Sequence, residues 1–214
     1  MKMSELSDRS GVAVPTIKFY LREGLLAPGE RTSPNQSAYD DSHVERLRLV
    51  RALIDVGGLS VAATSAVLAA VDNTGMPLDW AFGVAQQALP AVGADEDDAE
   101  ALGVIDELIA ERGWRIDPRN PGRATAARVL ARYEALGLSH LRDGVGDYLR
   151  AAEIVAASDL TAVIASPDRS TQVETVVVGT VLGDSLFAGL RRIAQEQRSH
   201  ELFDPTGTDC EDSE

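Results

Sequence analysis

Thr16, Lys18, Tyr20 and Arg22 crowd into one short stretch between Pro15 and Gly24. A hydroxyl, an ammonium, a phenol and a guanidinium at that spacing suit the gripping of phosphate oxygens and hydrogen bonding to base edges. Catalytic chemistry finds no comparable set. The chain carries no phosphate-cradling glycine loop, no nucleophile elbow and no His-Glu-x-x-His pattern. Its one cysteine, Cys210, and its scattered histidines, His43, His140 and His200, form no thiolate or imidazole cluster for a metal ion. The residues therefore argue against an enzyme, and neither a metal site nor a cofactor is expected.

The elements that must hold those four side chains read as a helix-turn-helix. Ser4 to Arg9 is a short helix with Ser4 as its N-cap, and Gly11 supplies the positive φ that ends it. Pro15 suits the first turn of the next helix, where its missing N–H has no partner to lose. Ile17, Tyr20 or Leu21, and Leu25 point inward at helical spacing. Residues 27–40 are polar, with two prolines and a glycine, which predicts a β-hairpin or wing. A helix over 43–56 buries Val44, Leu47, Val50 and either Leu53 or Ile54, and leaves Arg46, Arg48 and Arg51 on a solvent face. Gly57-Gly58 stops it, and Ser60 caps a further helix over 61–72.

In that order, the short first helix, TIKFYLREGLL, a wing closing on Tyr39-Asp40 and HVERLRLVRALIDVGGLSV resemble the DNA-binding domain of the MerR family of transcriptional regulators. The resemblance covers residues 3–72, about a third of the chain. It implies a winged helix-turn-helix, a homodimer and binding to double-stranded promoter DNA with an overlong spacer. In that family the dimer, with its effector bound, untwists and bends the spacer so that RNA polymerase at the same promoter can open it. This is recognition through DNA deformation. The resemblance also places Lys18 and Arg22 at basic positions of the recognition helix, and Phe19 and Tyr20 at an aromatic pair. Arg31 and Tyr39 fall at wing positions that meet the DNA backbone. One position departs: Ser37 stands where the family usually has arginine, and Gln36 and Asn35 offer hydrogen bonds in its place. The expected DNA contacts are thus Thr16, Lys18, Tyr20, Arg22, Arg31, Gln36 and Tyr39. A competing reading keeps the fold but makes the chain a protein-interaction adaptor that does not bind DNA.

Net charge is −14, the wrong sign for a DNA-binding protein taken whole. The distribution resolves this. Residues 1–72 hold eight basic and nine acidic side chains, whereas residues 73–214 hold twelve and twenty-five. Attraction to DNA must come from a local basic face. The lone cysteine and the lack of a basic-then-apolar opening fit a cytoplasmic protein. No membrane association is expected, because Glu174 and Asp184 interrupt the longest apolar run.

The fold class is mainly α, with residues 1–72 as the DNA-binding domain, 73–203 as a helical dimerisation and effector domain, and 204–214 as an acidic disordered tail. Helices are predicted over 78–89, 98–112, 123–136, 139–164 and 166–197. In the last of these, Val176-Val177-Val178 also suits a strand, while Gly179 and Gly183 would admit a neighbouring helix closely. Trp80, Trp114, Tyr133 and Tyr148 are candidates for lining a pocket for an apolar or cationic small-molecule effector. The same aromatics would equally fill a helical core.

Overall fold

Local signals set the first elements, and the structure is a computed structural model that describes residues 1–33, 36–73, 75–90 and 99–203. Helix α1 (Met3–Ser10) ends at Gly11, whose φ of 69° lets its N–H reach Ser7. Ser4 lies inside this helix rather than capping it. The cap position belongs to Lys2, which makes no side-chain cap. Helix α2 (Val14–Arg22) carries Pro15 in its first turn as expected. Strands β1 (Glu30–Ser33) and β2 (Gln36–Ala38) form an antiparallel hairpin. Helix α3 (Asp41–Arg51) opens on a capping box in which Asp40 accepts from the His43 backbone and His43 Nδ1 answers the Asp40 N–H. The Asp40 carboxyl is pulled down to about 2, by the Ser42 hydroxyl first and His43 second.

The helix predicted over 43–56 is α only to Arg51. Residues Ala52–Val56 continue as a π-helical turn. Gly57 donates back to Ala52, and a Cβ on Gly57 would stand 2.3 Å from Val181 Cγ1 and 2.7 Å from the Leu53 carbonyl. Helix α9 (Arg169–Phe203) presses onto this turn, so the first glycine of the pair answers to close approach. Helix α4 (Val61–Asp72) follows, capped by the Ser60 hydroxyl accepting from Ala63.

Helices α5 (Leu78–Ala88), α6 (Ala99–Glu111), α7 (Pro121–Ala135) and α8 (Val145–Ala165) complete the chain up to α9. The helix expected from position 139 is α only from Val145, and Ser139–Gly144 form a 3-10 segment before it. With Gly144 and Gly146 in the stretch, the chain winds more tightly before it settles into α-helix. The three valines at 176–178 are helical, since Val176, Val177 and Val181 bury at helical spacing. Helix α9 starts at Arg169 and runs past 197 to Phe203, and the tail from 204 lies outside the described residues. Its length and apolarity match those of a membrane span; Val173, Val176, Val177 and Val181 lie inside the protein, and 22% of its apolar stretch is buried.

One core runs from α1 through α4 and takes in Ala85 of α5 and Val177 and Val181 of α9. Packing is therefore continuous across the boundary expected at residue 72. Helices α6 and α7 make a smaller cluster of their own around Ile105, Ala127 and Leu130.

Candidate nucleic-acid interface

Helix α2 divides its residues cleanly. Ile17 and Tyr20 are buried, whereas Lys18 and Arg22 are exposed and Thr16 and Phe19 are half-buried. Tyr20 is the main departure from expectation. At 6% exposure its ring is a core side chain. Burial, and after it the nearby Asp55 carboxylate, push its hydroxyl above the usual tyrosine value, with Arg51 opposing. The aromatic on the outer side is Phe19. The Arg22 guanidinium lies 5.9 Å from its ring centre, a cation–π contact that steadies the charge at the helix surface. Spacing leaves Tyr20 and Leu21 as alternatives for the inward position. Tyr20 takes it, buried with Ile17, Leu25 and Leu26 in one cluster, while Leu21 packs partly buried against that cluster.

Tyr39 also lies inside, 8% exposed at the root of the wing. Its ring meets His43 edge-on at 5.2 Å, and its N–H donates to the Met1 carbonyl. A Cβ on Gly29 would sit 2.9 Å from that ring and 2.5 Å from the Ala38 carbonyl, so the chain can enter β1 only through glycine. Arg31 and Gln36 are exposed on the two strands. Arg31 pairs across the hairpin with Ser37, the position where arginine is usual in the resemblance. The wing thus carries its cation on the neighbouring strand. Asn35 lies outside the described residues.

Of the three α3 arginines expected on a solvent face, Arg48 and Arg51 are exposed, and Arg46 is drawn partly inward. Arg46 bonds both oxygens of Asp72, at 2.9 and 2.5 Å, and donates to the Leu25 carbonyl. Arg51 joins Asp55 and the Gly11 carbonyl, and Arg48 reaches the Arg9 carbonyl. Arg9 itself pairs with Asp41 at 2.7 Å. These guanidiniums tie α3 to α1, to α4 and to the carbonyls of Gly11 and Leu25. Among the described residues Lys18, Arg22 and Arg31 have no acidic partner, which leaves one recognition helix and one wing with uncommitted positive charge.

The four aromatics suggested for an effector sit in different surroundings. Trp80 is 68% exposed on α5. Trp114 and Tyr148 stack with the chain's own Arg112 and Arg191, and Tyr133 packs on the α6–α7 cluster. A cleft of about 810 Å³ opens elsewhere, between α5, α7, α8 and α9, and none of the four lines it.

A helix-turn-helix with a two-stranded wing and a free basic edge defines a DNA-binding regulator of the winged class. Comparison with known proteins agrees. The model of the MerR HTH family regulatory protein matches residues 1–71. The nodulation protein NolA of Bradyrhizobium elkanii is 39% identical over 56 residues, 26% of this chain and 26% of that protein. The ZntR homologue of Haemophilus influenzae, an HTH-type transcriptional regulator, is 38% identical over 50 residues, 23% of this chain and 37% of that one. These matches span about a quarter to two fifths of the relatives' length. The crystal structure of SCO5550 from Streptomyces coelicolor A3(2), provisionally described as a transcriptional regulator, is similar over nearly everything. It covers 95% of this chain and 98% of its own, at 33% identity and a TM-score of 0.66. The chain belongs to the MerR family of transcriptional regulators.

Proposed function

We propose that the protein acts in the cytoplasm as a homodimer on promoter DNA, with residues 1–72 reading the duplex and residues 73–203 pairing subunits and receiving a signal. The observation that carries this reading is a contrast among the cations near the helix-turn-helix: Arg46 and Arg51 are paired with Asp72 and Asp55, while among the described residues the exposed Lys18, Arg22 and Arg31 have no acidic partner. Thr16 and Gln36 lie beside them with polar groups for base edges or backbone. Tyr20 and Tyr39 act from within, as the packing that fixes helix and wing. A dimer presents two such sets one helical turn apart, about 34–36 Å or a multiple of it. The acidic remainder faces away from the phosphates.

Pairing falls to α9. Leu186, Leu190 and Ile193 stand exposed along one side of it, 64%, 54% and 65%, where a second copy would cover them. Bending an overlong spacer so that RNA polymerase can engage both promoter elements is the corresponding action, and it does not require chemistry by the protein. Footprinting on the organism's own chromosome tests the reading. Protected sites inside long promoter spacers are expected, with enhanced cleavage at the centre of each site where the duplex is distorted. No protected site at low salt overturns the regulator in favour of the adaptor.

A further inference from the structure

The cleft between α5, α7, α8 and α9 has a composition that selects a ligand. Its walls are mostly apolar, with Phe82, Val155 and Phe187 among them. Gly179 and Gly183, expected to seat a neighbouring helix, do the opposite: a Cβ on either meets nothing within 4 Å, so both open onto the cleft. Asp159 of α8 and Asp184 of α9 face the same space. Among the described residues neither has a cationic partner, and no lysine, arginine or histidine lines the cleft. Loss of water, and after it the charge of Asp159, raise the Asp184 carboxyl. A positive group placed between the two carboxylates would offset that penalty at Asp184.

The same helix reaches the DNA-binding module. Gly179, Gly183 and Phe187 form one face of α9, and Val177, Val181 and Ser185 form another. Val181 lies against Gly57, and the Ser185 hydroxyl donates to the Val56 carbonyl at 3.0 Å, at the end of the π-helical turn. Occupying the cleft therefore bears on a helix that is bonded to the frame of the helix-turn-helix.

We propose that this cleft binds a small apolar cation, a protonated amine on an aromatic body, and that α9 carries its occupancy to residues 52–57. The second half rests on the regulator reading; the first does not. Calorimetry on the full chain without DNA separates them, using 1-naphthylmethylamine and its neutral counterpart 1-naphthalenemethanol. The amine is expected to bind about tenfold tighter than the alcohol. The double variant D159N/D184N removes that preference and leaves the alcohol unchanged, and Gly183→Leu, which fills the cleft, weakens both. Circular dichroism melts confirm that each variant folds. Equal binding of the two probes, an amine preference that survives the double variant, or no binding of either overturns the site. In a gel shift the amine is then expected to change DNA affinity in the wild type and not in Ser185→Ala. Unchanged affinity in the wild type overturns the coupling, and calorimetric binding with no DNA binding at all leaves the site standing while the regulator reading falls.

Discussion

The N-terminal module and the α6–α7 pair are built to different standards. In the first, Leu6, Ile17, Leu47, Val50, Leu53 and Val67 are wholly buried in one cluster, and arginines lace the helices from outside. In the second, three residues make the buried centre, and the least covered, Ile105, is 9% exposed. The first is close to neutral and the remainder strongly acidic. A DNA reader must keep its helix and wing fixed relative to each other, because misplacement by about 1 Å forfeits base contacts. A region that admits a ligand gains from looser packing.

Substitutions can break this contrast or sharpen it. Leu47→Ala is expected to destabilise by about 3 kcal/mol in urea unfolding, against about 2 for Ile105→Ala; equal losses would erase the distinction. Gly57→Ala is next, at about 2 kcal/mol, because its methyl must displace Val181 and the Leu53 carbonyl. The same exchange at Gly103, inside α6 with open space around its Cβ, is expected to stabilise by about 0.5–1 kcal/mol. Opposite signs at two glycines would make the difference in packing plain. Lys18→Ala should leave the melting temperature alone and weaken binding of a promoter fragment about tenfold, with a shallower salt dependence. Unchanged affinity in the gel shift removes Lys18 from the interface. The smallest effect concerns pH. The folded-state pKa of Asp40 is depressed to about 2, so its capping contribution is complete above the ordinary carboxylate range and drains away as pH falls through about 2. Asp40→Asn, which caps without titrating, should flatten that part of the acid-unfolding profile, and an identical profile would place the acid sensitivity elsewhere.

How far the residues foretell this depends on whether the deciding contact is local. Gly11, Pro15, Ser60 and the Asp40–His43 pair act within four residues, and all mark element ends. The outward Lys18 and Arg22 follow from helical period alone. Tyr20 escapes such reasoning because two adjacent positions suit the inward side, and only packing against residues of other elements separates them. Arg46 passes for a solvated charge in the sequence, because its partners, Asp72 and the Leu25 carbonyl, come from other elements. The cleft is invisible there for the same reason: its walls come from four helices, and its glycines read equally as a helix seat or a gap.

Helix α9 meets the module on one side, the cleft on a second and, with Leu186, Leu190 and Ile193, the outside on a third. Each added residue in an α-helix rotates everything beyond it by about 100°. An insertion or deletion of one residue near position 175 would thus misalign all three at once, like a key whose cuts have been shifted along the blade. Loop lengths elsewhere can drift, but the count along this rod cannot.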